Sequence, residues 1–318
     1  MGALFADLVG QAQAVALLEA ALAKDRIAPA YLFAGPEGVG RCMAALRFLE
    51  GVLQGGQVDL RQRRRLEARN HPDLLWVEPS YSHQGRLIAR SEADEAGVSK
   101  RTPPQVRLEQ IREVSRFLAR QPLESARGLV VIEDPEAMAE SAANALLKTL
   151  EEPGHGLLIL LSAAPDRLLA TIRSRCQQIT FQRLSSGQMQ EVLGRLDDDE
   201  RAQAAAAMAQ PELVALAAGS PGALLSHADQ WQSVPEGLRD RLVALPAKPA
   251  EALALARDLS EALSGEQQLW LLSWWQQQLW YRQGDVEGLH RLERLRSHLL
   301  SYVQPRLAWE VTLLDLLQ

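Results

Sequence analysis

Five short apolar runs set the strongest limit on how this chain folds: AYLFAG (30–35), LLWVEP (74–79), GLVVIED (128–134), GLLILLSA (156–163) and QQITF (177–181). Each is bounded by Gly, Pro or charged residues and is separated from the next by enough chain for a helix. Apolar runs that do not alternate belong to strands buried on both faces, and strand–helix alternation makes such strands parallel. Residues 1–183 are therefore expected to form an α/β domain around a parallel five-stranded sheet. Within DPEAMAESAANALLKTLEEP (134–153), Met138, Ala142, Leu146, Leu147 and Leu150 fall on one helical face, and Pro153 follows its end. The stretch SHQGRLIARSEADEAGVSKRTPPQ (82–105) is polar and aperiodic and reads as a surface loop.

From residue 184 the strand signal disappears. Residues 184–228 read as a small helical unit with an Ala-rich segment (202–209) and a turn at GSPG (219–222), and residues 229–318 as an all-helical domain. The last region carries Trp270, Trp274, Trp275, Trp280 and Trp309. Trp270 and Trp274 share a helical face. Buried core is the plainer reading of these indoles; a stripe for a partner or a stacked base is the sharper one.

The first apolar run leads into GPEGVGRC (35–42), which has the frame of a phosphate loop, G-x-x-x-x-G-K-[ST], with Gly35, Gly38 and Gly40 in place. In such a loop backbone N–H groups face the phosphates from a helix N-terminus, a lysine contacts the β and γ phosphates, and a hydroxyl holds Mg²⁺. Here Arg41 stands for the lysine and Cys42 for the hydroxyl. A planar guanidinium replaces a compact ammonium, and a soft sulfur replaces a hard oxygen. The acidic pair that completes the site would end a later strand. LVVIEDPEAM offers two frames: with Asp134 facing the metal, the water-activating place falls on Pro135, and with Glu133 and Asp134 as the pair the charges are kept in altered order. The site is expected to be catalytically silent.

The bulk numbers narrow the class. The chain has 318 residues, 47% hydrophobic and 23% charged, and a net charge of −6. It is long enough for two or three domains, and its charge argues against wrapping nucleic acid unaided. No apolar run approaches the roughly 20 residues that cross a bilayer, and no secretory leader pattern opens the sequence. The expectation is a cytoplasmic protein with no membrane partner. Two cysteines, Cys42 and Cys176, make neither a disulfide framework nor a four-thiolate zinc site.

Several stretches, in order along the chain, resemble the delta prime family of bacterial DNA polymerase III clamp loaders, of the AAA+ class: FADLVGQ (5–11), HPDLLWVEP (71–79), VRLEQIREVSRFLARQPLE (106–124), AANALLKTLEEP (142–153), LLATIRSRCQQITF (168–181), AAGSPGAL (217–224) and YVQPRLAWEVTLLDLL (302–317). The resemblance implies a RecA-like AAA+ domain (1–183), a helical lid (184–228) and a helical collar for oligomerisation (229–318). It implies a hetero-oligomeric ring with tau/gamma motor and delta subunits that loads a sliding clamp onto primer-template DNA. ATP would be bound by neighbouring subunits, with no cofactor of the chain's own. By the same resemblance Ser174, Arg175 and Cys176 match the SRC motif, whose arginine reaches into a neighbour's ATP site. Arg173 is the rival within that loop.

Further positions follow from the family pattern. The first sensor falls on Ser162, and the second, an arginine within G-S-x-R in ATP-binding relatives, falls on Gly222. Family members often carry a four-cysteine zinc module between the first two strands. The interval GGQVDLRQRRRLEARNHPD (55–73) has no cysteine, and His71 alone cannot hold structural zinc. Arg61, Arg63, Arg64, Arg65 and Arg69 cluster there, either as a solvated helical face or as a DNA or clamp contact. The leading expectation is a non-hydrolysing subunit. The alternatives are a divergent AAA+ ATPase motor and a switch that binds ATP without hydrolysing it.

Overall fold

The structure is a computed structural model that describes residues 4–98, 103–301 and 303–317, without the side chains of residues 282 and 283. The chain divides into two compact units. The first comprises Met1–Ser91, Gln105–Leu196 and Gly219–Ala223, and the second Glu92–Pro104, Asp197–Ala218 and Leu224–Gln318.

The first unit runs α1 (Ala12–Ala23), β1 (Ala30–Ala34), α2 (Arg41–Leu53), α3 (Leu60–Glu67), β2 (Leu74–Val77), β3 (Ser80–His83), β4 (Arg86–Ala89), α4 (Leu108–Leu118), β5 (Leu129–Glu133), α5 (Glu140–Glu151), β6 (Leu157–Ser162), α6 (Ala170–Arg173), β7 (Gln177–Thr180) and α7 (Ser186–Gly194). The expected α/β class holds: the sheet is parallel, five-stranded and ordered β2-β5-β6-β1-β7. Period-two alternation sends Leu32, Val130, Ile132, Leu158 and Leu160 into one buried cluster with Ile111, Val114 and Leu146 from α4 and α5. Tyr31 and Phe33 alternate with them and meet Phe48 and Phe181, with ring centroids 5.0 and 5.3 Å apart.

Two expectations change here. Met138 precedes the helix in extended backbone, after a single turn at Pro135–Ala137, because α5 begins only at Glu140. Residues 82–105 are not one loop: β3 and β4 form an antiparallel hairpin. Its two-residue turn at Gln84 and Gly85 has φ of 48° and 76°, the left-handed pair that matches strand twist. Residues 99–102 of that stretch lie outside the described residues, as does Tyr302.

The second unit contains α8 (Asp198–Met208), α9 (Pro211–Ala217), most of α10 (Pro221–Ser233), α11 (Glu236–Ala244), α12 (Pro249–Ala262), α13 (Gly265–Gln283), α14 (Val286–Leu300) and α15 (Pro305–Asp315). Most of its indoles are core. Trp270, Trp274, Trp275 and Trp309 are buried, and Trp309 donates Nε1–H to Gln268 Oε1 at 2.9 Å. Trp280 is the outward-facing exception in α13. No helix among the described residues is long and apolar enough to cross a membrane.

Candidate functional site

The glycine loop turns β1 into α2. Gly35 N donates to Ser162 O at 3.1 Å. Gly38 and Gly40 have φ of 73° and 101°, a region that side chains with a Cβ rarely enter. The segment from Gly219 lies against this loop. Gly222 N donates to Gly38 O at 3.1 Å, and Ser220 Oγ donates to Glu37 O at 2.5 Å. A Cβ on Gly222 would stand 2.7 Å from Gly38 Cα. Gly222 therefore meets the loop through its backbone, at a spacing where any Cβ would force the loop to shift.

A cavity of ≈ 460 Å³ opens beside the loop, bordered among others by Gly38, Gly40, Arg41, Arg90, Glu133 and Asp134. Arg41, the first residue of α2, is 7% exposed, and its Nε and Nη1 have no hydrogen-bond partner. Burial pulls its pKa below the ordinary value, while Asp134 and Glu136 oppose that shift. Part of the Cys42 side chain reaches solvent. Crowding around its sulfur, with the charge of Glu133, nevertheless pushes the thiol up to about 11. At neutral pH it is a protonated thiol and no ligand for Mg²⁺.

The acidic pair at the end of β5 is already taken. Arg90 Nη1 donates to Asp134 Oδ2 at 2.6 Å, and Arg90 Nη2 to Glu133 Oε2 at 3.2 Å. Glu133 Oε1 also accepts from Arg69 Nη2 at 3.0 Å and Trp76 Nε1 at 2.7 Å. Both carboxylates are thus engaged in ion pairs within the chain, Asp134 through Oδ2 and Glu133 through both oxygens. Pro135 begins the next turn and brings no polar side chain. Beyond it, Glu136 Oε1 accepts from Ala163 N and Ala164 N at 2.9 and 3.0 Å. Ser162, at the first-sensor position, is buried with its Oγ unpartnered, as is Glu136 Oε2. Cys42 and Pro135 bring neither the hydroxyl nor the carboxylate that a magnesium-dependent nucleotide site uses. Arg90, Glu136 and Ser220 were not foreseen, because their partners lie tens of residues away in sequence, and Arg69 was seen only as a member of the arginine cluster.

The SRC stretch forms a separate feature. Ile172 is fully buried and Cys176 packs against the sheet cluster, so Arg173, Ser174 and Arg175 bulge outward between two apolar pins. Burial pushes the Cys176 thiol up to about 11, and this cysteine acts as a small apolar anchor. Ser174 Oγ donates to Thr171 O at 3.1 Å. Arg173 is paired to Asp166 at 2.7 Å. Arg175 Nη2 donates to Glu151 Oε1 at 2.7 Å and its Nη1 to Thr171 O at 3.0 Å. Neither partner of Arg175 borders the cavity at the glycine loop.

The arginine cluster is largely internal wiring. Arg63 pairs with the fully buried Glu50 at 2.8 Å, and Arg65 with Glu124 at 2.7 Å. Arg69 pairs with Glu78 and Glu133 at 3.0 Å and lies over the Trp76 ring at 4.5 Å. Only Arg61 and Arg64 stand on the exposed face of α3 without a described ion pair. His71 is buried, and its Nδ1 accepts from Asp73 N at 3.2 Å. Among the described residues no three His, Cys, Asp or Glu side chains are grouped to hold a metal ion.

A five-stranded parallel sheet with β6 central and β1 beside it, a glycine loop at the carboxyl end of β1 and helical regions after it define the class: an AAA+ fold with an altered nucleotide site. The family model described as DNA polymerase III, delta subunit, matches residues 10–185. The one described as cyanobacterial DNA polymerase III delta prime, C-terminal domain, matches residues 187–316. The chain belongs to this DNA polymerase III family, on its delta prime branch. DNA polymerase III subunit delta′ of Bacillus subtilis is 35% identical over 180 residues, 55% of this chain and 48% of that protein. Its counterpart in Pseudomonas aeruginosa is 34% identical over 201 residues, 61% of this chain and 54% of that protein. The matched region thus spans about half the length of these curated relatives. A DNA polymerase III gamma subunit-related protein from Thermotoga maritima shares the fold, with a TM-score of 0.50 at 16% identity over 96% of this chain and 98% of that one.

Proposed function

We propose that this chain is a non-hydrolysing subunit of a DNA polymerase III clamp loader. It scaffolds a ring with tau/gamma and delta subunits, presents Arg175 to the ATP site of a neighbour, and helps place a sliding clamp on primer-template DNA. The observation that carries the silent half of this reading is the pairing of Asp134 and Glu133 with Arg90 and Arg69. An acidic pair neutralised within the chain attracts a divalent ion less strongly. Arg41, Cys42, Pro135 and Gly222 support it, each replacing a group that hydrolysis needs.

The trans role of Arg175 is supported by its exposure on a pinned loop and by its place in the SRC motif. A guanidinium forks onto phosphate oxygens and keeps its proton, and a finger is worth about 10³–10⁵ in rate. The test is reconstitution with tau/gamma and delta subunits and a clamp. Arg175→Ala is expected to assemble normally yet slow ATP hydrolysis at one site. Unchanged ATPase and clamp loading would remove the finger assignment, and failure to co-purify with those subunits would remove the reading as a whole.

A second reading is nucleotide holding without hydrolysis, which the unpartnered Nε and Nη1 of Arg41 beside the ≈ 460 Å³ cavity favour. Equilibrium titration with a fluorescent ATP analogue separates the two, micromolar affinity supporting the second.

A further inference from the structure

In the isolated chain the Arg175 guanidinium already has two acceptors. Nη2 donates to Glu151 Oε1 and Nη1 to the carbonyl of Thr171. Thr171 lies in α6, the short helix that leads directly into the turn carrying Arg175, and travels with the arginine. Glu151 belongs to a different element, the last residue of α5. Its position is electrostatically awkward, because the carbonyl end of a helix carries partial negative charge and Glu152 follows directly. A cation docked there relieves the repulsion. Both side chains are partly open to solvent, 36% for Arg175 and 53% for Glu151, so a stronger anion can exchange for the carboxylate. Arg173 is held differently, by an Asp166 side chain that is 93% exposed.

We propose that Glu151 is a positioning residue that parks Arg175 until a phosphate of the neighbouring subunit's nucleotide displaces it. This rests on the reading of Arg175 as the trans finger. The N–H that serves the Glu151 carboxylate is one that a phosphate oxygen would claim, and it cannot serve both. Parking therefore competes with engagement. It keeps the side chain extended from a fixed point, and it lowers the apparent affinity of the neighbour's site by the strength of the pair. Exposed ion pairs of this kind correspond to about 1.5- to 5-fold in an equilibrium.

The experiment is ATP titration of the reconstituted tau/gamma-containing complex, reading KM and kcat separately, with wild type, Glu151→Gln, Glu151→Asp, Arg175→Ala and the Glu151→Gln/Arg175→Ala pair. Glu151→Gln keeps the shape and removes the charge, and is expected to lower KM by about 1.5- to 5-fold with little change in kcat. Glu151→Asp keeps the charge and is expected to restore part of the wild-type KM. In the Arg175→Ala background Glu151→Gln is expected to change nothing, which a merely structural role would not produce. If Arg175→Ala slows hydrolysis but Glu151→Gln behaves as wild type, parking is overturned and the finger stands. If the effect of Glu151→Gln persists without Arg175, Glu151 acts elsewhere and parking is again overturned. If Arg175→Ala itself is silent, the finger reading falls and parking falls with it.

Discussion

Arg90 and Asp134 stand 2.6 Å apart, nitrogen to oxygen, at the point where an AAA+ fold would hold its metal-facing carboxylate. Arg90 follows β4 directly, so the pair also fastens the hairpin to the end of β5. The arginine is under one-third exposed and touches two carboxylates. Arg90→Ala would leave Asp134 without that partner. Denaturant unfolding is expected to show a loss of about 1–3 kcal/mol, with Arg90→Lys recovering part of it.

Gly222 cannot be returned to arginine without cost. The new Cβ would stand 2.7 Å from Gly38 Cα, and the backbone bond from Gly222 N to Gly38 O leaves the loop little room to retreat. Gly222→Arg is expected to destabilise the chain by about 1–3 kcal/mol in thermal or denaturant melts. A chain carrying Arg41→Lys, Cys42→Thr and Gly222→Arg together is expected to show no ATP turnover. Arg90 still covers Asp134, and Pro135 still lacks a base.

Asp73 of the HPD triplet is a structural anchor. It is buried, and it accepts from Leu123 N at 2.6 Å and from Glu124 N, Ser125 N and Ser125 Oγ at 2.8 Å. Burial alone would raise its pKa, but these four donors more than offset that and hold the carboxyl below its ordinary value. A depressed carboxyl pKa adds stability above the unfolded value, and that stability is lost as pH falls through the folded one. Unfolding free energy measured against pH is expected to decline below about pH 4. Asp73→Asn is expected to flatten that decline and to cost about 2–4 kcal/mol at neutral pH.

The five arginines of residues 61–69 divide by their partners. Glu50 is fully buried and also accepts from Asp59 N at 2.9 Å. Arg63→Ala would strand its charge, with an expected loss of about 3–5 kcal/mol. Arg61→Ala and Arg64→Ala, on the exposed face of α3, are expected to stay within about 0.5 kcal/mol. Denaturation midpoints of the single variants check this ordering.

The sheet was legible because its strands are buried on both faces, and an unbroken apolar run such as LLILLS needs no partner to be recognised. The losses at Arg41, Cys42 and Pro135 were legible for a similar reason: local motifs display their substitutions locally. The hairpin was hidden because Gln84 takes a left-handed φ that Asn or Asp would have advertised. Met138 fell on the face of a helix that starts only after it, since the chain first makes a tight turn at Pro135. The roles of Arg63, Arg69 and Arg90 were invisible, because an arginine's partner is fixed by tertiary contact. Glu133 and Glu78 meet Arg69 across 64 and 9 residues of chain.

The central claim, that this chain's own nucleotide site is silent, is tested most directly by single-turnover ATP hydrolysis on the purified chain with Mg²⁺ and with chelator. The expected result is background release, equal in both conditions and unchanged by Asp134→Ala. Magnesium-dependent turnover that Asp134→Ala or Arg41→Ala abolishes would contradict it.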